Sequence, residues 1–415
     1  MGWVPHGCAE FAGNDAQSSQ DRDKAAAEKR DGADGAVTET AENSARRALL
    51  VLHPAFALTG ILQAVNGPLM PALAATFHWS DSRSGLLFLV YFTASSTAPL
   101  LCRFNYAKTM ALGFAAMALA CVGAALAGPL LLFPVFLLLG LSNGVSTSSI
   151  NLLVGRNYRA NCAPTLTLLN FTWSAGALAG PLLAAPLLLH HSYRAVYLLV
   201  GGCGLLAVLA CRAFVVEGPE PAPRRHSQTG LSNARLIALF AAIAFLEVGV
   251  ENTALAWLST YLLRTAGGGM ALAAAVSSLY WAGFLASRAL SSLLLWRVEA
   301  IRVFWTALGT AFLAALLLIV FPSGWSRGAA IFLLGAALGP IYPLLLSALF
   351  GRVRRTADTR WMLAIGGLGG SVLPWLTGWI SASSGSLRLG LMTIPAALLG
   401  MAGLFLLLQG KPKAA

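Results

Sequence analysis

Twelve apolar stretches, each near the roughly 20 residues that a bilayer's hydrocarbon core demands, leave this chain few ways to fold. They cover 49–76, 84–102, 107–127, 131–154, 163–189 and 195–215, then 236–263, 270–294, 302–321, 328–350, 360–383 and 387–408. In hydrocarbon every backbone N–H and C=O needs a partner, and a helix supplies one within the segment. The expected fold class is therefore an all-α membrane protein with twelve transmembrane helices. Composition agrees, with 57% hydrophobic and only 11% charged residues, where a soluble domain carries about 25% charged.

Charge is distributed as membrane topology requires. Residues 1–45 hold nine acids and four bases, whereas the rest holds seven acids and twenty-four bases, in short loops between apolar runs. Such a pattern excludes a phosphate-binding face, so no nucleic acid is expected despite the net charge of +12. Placing both ends inside puts nineteen Lys and Arg in cytoplasmic segments. Five remain outside: Arg83, Arg194, Arg264, Arg327 and Arg388. The expectation is a multi-pass inner- or plasma-membrane protein with cytoplasmic termini. Residues 1–45 read as a disordered cytoplasmic tail, 46–216 as one six-helix bundle, 217–234 as a polar linker, 235–409 as a second bundle and 410–415 as a tail. The fourth and tenth spans support a repeat: FLLLGLSNGVSTSSINLLVGR (136–156) aligns without gaps to FLLGAALGPIYPLLLSALFGR (332–352). Repeated halves place a site at the midplane between them.

Polar side chains inside spans face a cavity or another helix. Thr59, Gln63 and Asn66 fall within about 60° on a helical wheel, mid-span. Span 4 carries Ser142, Asn143, Ser146, Thr147 and Ser149, and span 10 has Gly339-Pro340 and Tyr342-Pro343 at its centre, an expected break. A substrate site lined by Gln63, Asn66, Asn143, Thr147 and Tyr342 follows, with Asn170, Trp173, Tyr280 and Trp281 added from spans 5 and 8. Serine and threonine also bond their own helix backbone, which competes with a binding role. Trp257 and Tyr261 lie near the outer end of span 7, where Tyr261 reads as an interfacial anchor.

Glu247 and Glu251 are the only acids well inside any span, one helical turn apart. The nearest base is Arg288, toward the cytoplasmic end of span 8, which leaves the glutamates without a mid-depth partner. Poorly solvated neighbouring carboxylates favour protonation of at least one. A group that gains and loses a proton at mid-depth is what proton coupling requires, so Glu251 is the expected coupling residue and Glu247 its modulator. Gly176, Gly180 and Pro181 in span 5, with Gly366, Gly370 and Pro374 in span 11, read as close-packing and hinge elements.

No nucleophile–base pair or metal cluster occupies a span, so an enzyme, a metal and a cofactor are not expected. The partners implied are a small-molecule substrate, protons and the bilayer, with the protein a monomer. Amides and hydroxyls in spans 1, 4 and 5 favour a sugar or polyol-like solute. Efflux of amphipathic compounds is the alternative, since the GxxxGP element of span 5 resembles an antiporter signature. A non-transporting sensor or scaffold is a remote third reading.

Four segments carry a family resemblance: GILQAVNGPLMPALAATF (60–77), NLLVGRNYRANCAPTLTLLNFTWSAGALAGPLL (151–183), VGVENTALAWLSTYLLR (248–264) and GGLGGSVLPWLTGW (366–379). They resemble the major facilitator superfamily, and within it the fucose–galactose–hexose:proton symporter group. The resemblance implies the major facilitator fold of two six-helix halves and alternating-access transport. It places Glu251 on the acid of that group's GxE element, Glu247 being an extra acid. Between spans 2 and 3 the sequence PLLCRFNYAKTMALG keeps the signature's Arg103 as a gating residue, but Cys102 stands where that family has Asp and Asn105 where it has Gly. The acids that sugar-transporting members use in spans 1 and 4 are absent; Gln63, Asn66 and Asn143 occupy those helices.

Overall fold

The computed structural model describes residues 47–102, 105–157, 162–189, 193–215, 234–266, 269–295, 297–320, 325–350 and 356–409. Helices account for nearly all of them. In chain order they are α1 (Arg47–Phe77), α2 (Asp81–Leu101), α3 (Tyr106–Leu126), α4 (Leu132–Asn157), α5 (Cys162–Leu188) and α6 (Tyr193–Phe214). There follow α7 (Ala234–Ala266), α8 (Gly269–Leu294), α9 (Ala300–Val320), α10 (Trp325–Leu338), α11 (Ile341–Phe350), α12 (Thr356–Ser384), α13 (Leu387–Leu391) and α14 (Thr393–Gln409). Among the described residues eleven helical segments are long and apolar enough to cross a membrane, and α12 is a further helix of 29 residues.

Local chemistry sets the ends. Ser80 precedes α2 and its Oγ accepts from the Arg83 N–H at 3.4 Å, while the Asn105 side chain caps α3 by accepting from the Lys108 N–H at 2.8 Å. The last turn of α2, Ala98–Leu101, tightens to a 3-10 turn at Pro99. Gly269 and Gly385 take positive φ (74° and 68°) at the turns entering α8 and leaving α12, where a side chain would be strained. The tenth span breaks as expected: Gly339 and Pro340 form a turn between α10 and α11. Pro340 and Pro343 have no N–H, so the Ala336 and Gly339 carbonyls lose their helical partners.

One face of the bundle, the far face, holds the start of α2 and the ends of α7 and α12, which hydrogen bonds to Asp81 join. Helices pack within each set of six (α3 on α4 and α6, α8 on α10, α7 on α12 and α14) and between the sets, where α2 lies against α12 and α5 against α8. Large apolar side chains that find no protein neighbour crowd the outward sides of α3, α6 and α14; Leu112, Leu119, Leu205, Leu206, Leu209, Leu399 and Leu406 are among them. Such faces suit lipid rather than water.

Glycine is the packing device. A Cβ on Gly60 would overlap the Trp173 carbonyl, and one on Gly176 the Ala57 carbonyl, so α1 and α5 touch backbone to backbone. Gly283 and Gly335 do the same for α8 and α10, against the Phe332 and Tyr280 carbonyls. Of the glycines singled out in spans 5 and 11, a Cβ on Gly180 would stand 3.1 Å from Ile61 O and one on Gly366 3.1 Å from the Ala244 Cβ, while one on Gly370 would overlap the Asn252 amide. Pro181 and Pro374 sit inside α5 and α12.

Candidate functional site

Two polar clusters lie in the middle of the bundle. The first is built on α1, α2, α4 and α6. Asn143 Nδ2 donates to Gln63 Oε1 at 3.5 Å, tying α4 to α1. Asn66 is fully buried: its Nδ2 donates to Leu62 O at 3.0 Å, and its Oδ1 accepts from the Tyr197 hydroxyl at 3.1 Å. The Tyr91 hydroxyl is buried beside both amides without a hydrogen bond of normal geometry, and Asn143 Oδ1 is likewise left free. This cluster has unspent capacity, since a buried amide carries four bonding positions. Thr147 is half-buried on the same helix as Asn143. Ser142 and Thr59 turn inward on their own helices, donating to Leu139 O and Phe56 O at 2.8 and 2.7 Å, the local bonding that competes with a binding role.

The second cluster belongs to α7, α8 and α11. Glu247 is fully buried and neither carboxyl oxygen has a hydrogen-bond partner, whereas Glu251 keeps partial exposure one turn further on. Both share the electrostatic field of Arg288, as does the buried Tyr280, and Tyr342 faces the same two acids. The expectation that the glutamates lack a basic neighbour is therefore corrected. A long side chain on a helix points back toward its N-terminus, so Arg288 carries its charge toward mid-depth although its Cα sits low in α8. Its guanidinium stacks over the Phe284 ring at 4.4 Å and donates through Nη1 to Ser174 Oγ on α5 at 3.3 Å. Trp173 and Trp281 meet edge to face at 5.7 Å beside that bond, again joining α5 to α8. Asn170 is exposed, with Nδ2 turned onto Leu166 O of its own helix at 2.8 Å, apart from either cluster. Arg103 lies outside the described residues.

Sequence reasoning missed a third constellation, at the far face. Asp81 opens α2 and accepts both Arg264 nitrogens, Nη1 at 2.7 Å and Nη2 at 2.5 Å, plus the Ser381 hydroxyl at 2.5 Å. One carboxylate thus binds the ends of α2, α7 and α12. Just below, Trp257 Nε1 donates to Pro374 O at 2.8 Å, and its ring meets Phe88 edge on at 6.0 Å. Trp257 and Tyr261 are buried, the Tyr261 hydroxyl donating to Leu318 O of α9 at 3.1 Å. The interfacial role expected for Tyr261 is thereby corrected: its ring is buried and its hydroxyl is taken by α9, while α7 packs against α12. A signal for the missed pair did exist. An acid stands just before span 2 and a base just after span 7, on the same side of the membrane.

Comparisons with known proteins agree with this architecture. The family model described as Major Facilitator Superfamily matches residues 52–359. No curated protein matches the chain in sequence. Among solved structures it is similar to a bacterial homolog of the human lysosomal transporter Spinster in an inward-facing, unoccupied conformation, at 18% identity and a TM-score of 0.68 over 89% of this chain and 98% of that one. The nucleoside transporter NupG is similar at 14% identity and a TM-score of 0.70, over 89% and 100% of the two chains. The E. coli fucose:proton symporter FucP is similar at 16% identity and a TM-score of 0.59, over 86% and 97%. With a family model covering most of its length and this fold, the chain is a transporter and not an enzyme, and it belongs to the major facilitator superfamily.

Proposed function

We propose that the protein is a proton-coupled secondary transporter that carries a small polar solute by alternating access between the bundles 46–216 and 235–409. The observation that supports this most is the pairing of two kinds of unfinished chemistry at mid-depth. Among the described residues Asn143 on α4 keeps a free acceptor beside the Gln63 and Asn66 amides of α1, and Glu247 on α7 has a carboxyl group without a hydrogen bond. A hydroxyl-rich solute supplies donors and acceptors to the first, with Gln63, Asn66, Asn143 and Thr147 binding it and Trp173, Trp281, Tyr280 and Tyr342 bounding it. Protons supply the second. Glu251, the more accessible acid, takes the coupling proton, and Glu247 sets its affinity. The far face is the extracytoplasmic side, with both termini in the cytoplasm, in keeping with the basic-residue asymmetry. Asp81, Arg264 and Ser381 then form an outer seal that must part when the site opens outward.

Purified protein in proteoliposomes tests this. An imposed pH gradient should drive accumulation of one member of a panel of sugars, polyols and sugar acids. Glu251→Gln should lose that accumulation while still exchanging solute across the membrane, because an amide resembles the protonated acid. Undiminished gradient-driven uptake by Glu251→Gln removes the coupling assignment. Gradient-driven expulsion of amphipathic cations, with no uptake of any polar solute, replaces symport with efflux. A reporter fused after Ala415 should read as cytoplasmic.

A further inference from the structure

Arg288 is an expensive residue to leave incompletely bonded. Its Nε has no solvent contact and no partner, and its one hydrogen bond, to the Ser174 hydroxyl, is long at 3.3 Å and to a neutral group. No carboxylate lies within ion-pair distance of it among the described residues, although Glu247 and Glu251 are near enough to feel its charge. A guanidinium offers five donors in a planar fork shaped for a carboxylate. Around it stand Trp173 and Trp281, the unpartnered hydroxyl of Tyr280, and the α10–α11 break. At that break Gly339 packs against the Phe284 carbonyl and the Ser287 hydroxyl, one turn from Arg288 itself.

We propose, building on the transport reading above, that the solute is a hydroxylated monocarboxylic acid whose carboxylate is received by Arg288 while the amides of α1 and α4 hold its hydroxyls. Charge counting supports a single negative charge. The titratable or charged groups facing Arg288 are Glu247 and Glu251 on α7 and Tyr280 on α8; Tyr342 on α11 faces the same acids. Over residues 165–188 α5 has no titratable side chain, and α10 has only Arg327, which bonds Thr265 O at the far-face end at 3.3 Å. The empty site is neutral when one glutamate is protonated and the other offsets Arg288. An entering carboxylate gives the site a net negative charge, and one further proton on the second glutamate removes it. One acid therefore travels with one proton and the loaded site carries no net charge, which keeps its passage through a low dielectric cheap. A dianion would leave the site charged. A neutral polyol with one proton would move charge across the membrane.

The test uses the full chain in proteoliposomes with gluconate and its neutral counterpart sorbitol as probes, alongside lactate and glucose 6-phosphate. The proposal expects uptake of gluconate driven by an imposed pH gradient and unmoved by a valinomycin-set potential, with no uptake of sorbitol or glucose 6-phosphate. In detergent, gluconate should raise the melting temperature. Arg288→Gln should weaken gluconate binding by tenfold or more, and Arg288→Lys, which keeps the charge without the fork, should fall between. Melting of each variant without ligand reports whether it is folded. Should sorbitol be carried in preference, with a potential that drives it, the anion assignment falls and the symport reading stands. Gluconate bound through Arg288 but indifferent to the pH gradient leaves the anion site intact and removes proton coupling. Binding of gluconate unchanged in a folded Arg288→Gln, or binding of none of the acids, overturns the proposal.

Discussion

The far-face constellation and the mid-depth constellation use the same chemical parts to opposite ends. At the far face Asp81 is saturated: two guanidinium nitrogens and one hydroxyl converge on it, all within 2.7 Å. At mid-depth Glu247, Glu251 and Arg288 sense one another, but none completes an ion pair among the described residues. A saturated group holds helices together and has nothing left to offer a ligand. An unsaturated one is costly to the resting protein, and that cost is recovered only when something else binds. The contrast separates a latch from a site without appeal to depth alone.

Five expected outcomes sharpen or break that contrast. The largest is at mid-depth: Glu251→Gln should lower the steady-state accumulation ratio to about one, from a limit of about tenfold per imposed pH unit when one proton accompanies each solute, measured as steady-state uptake. Next is the latch. Asp81→Asn loses the ion pair and should release about 1 kcal/mol, a several-fold shift toward outward opening, because Arg264 is 46% exposed and water screens much of the attraction. Spin labels at Arg83→Cys and Ser383→Cys should report a longer distance population; no change would make the triad ornamental. The double exchange Asp81→Arg with Arg264→Asp should recover part of the shift if the pair itself matters. Raising salt toward 1 M should mimic a fraction of it, since charges at an exposed pair are screened over about 3 Å under those conditions, while leaving the buried glutamate pair unaffected. Last is Trp257→Phe, which keeps an aromatic ring and loses the bond to Pro374 O; it should leave transport in place and cost about 1 kcal/mol in melting or denaturation.

Much of the fold was legible because hydropathy and base placement are one-dimensional properties. The spans, the break at Gly339-Pro340 and the adjacency of Glu247 and Glu251 needed no knowledge of tertiary structure. The latch was illegible for the opposite reason. Asp81 and Arg264 stand 183 positions apart, and each alone reads as an ordinary loop charge. Arg288 was seen but placed too low, because a span count locates the Cα and not the end of a long side chain. Tyr261 was misread as an anchor because a tyrosine near a span end is bonded either by lipid headgroups or by a neighbouring helix, and hydropathy does not distinguish them. Asn66 shows a subtler limit. Its burial was foreseeable, but the hydroxyl that occupies it comes from Tyr197, on a helix that sequence alone had no reason to bring near.

The glycine seam between α2 and α12 carries a last consequence. Gly85 sits 3.1 Å from the Trp375 carbonyl, and Gly378 lies 2.5 Å from the Asp81 carbonyl, by the position a Cβ would take. The edge of the Trp257 ring closes the same spot, 2.6 Å from that Cβ position. A seam with so few side chains to unlock and refit slides more easily than a toothed contact of interleaved leucines, because close-packed side chains resist displacement. A single methyl added at Gly85 or Gly378 would act as a pawl, and the turnover rate would then depend on how steeply that one tooth must be climbed.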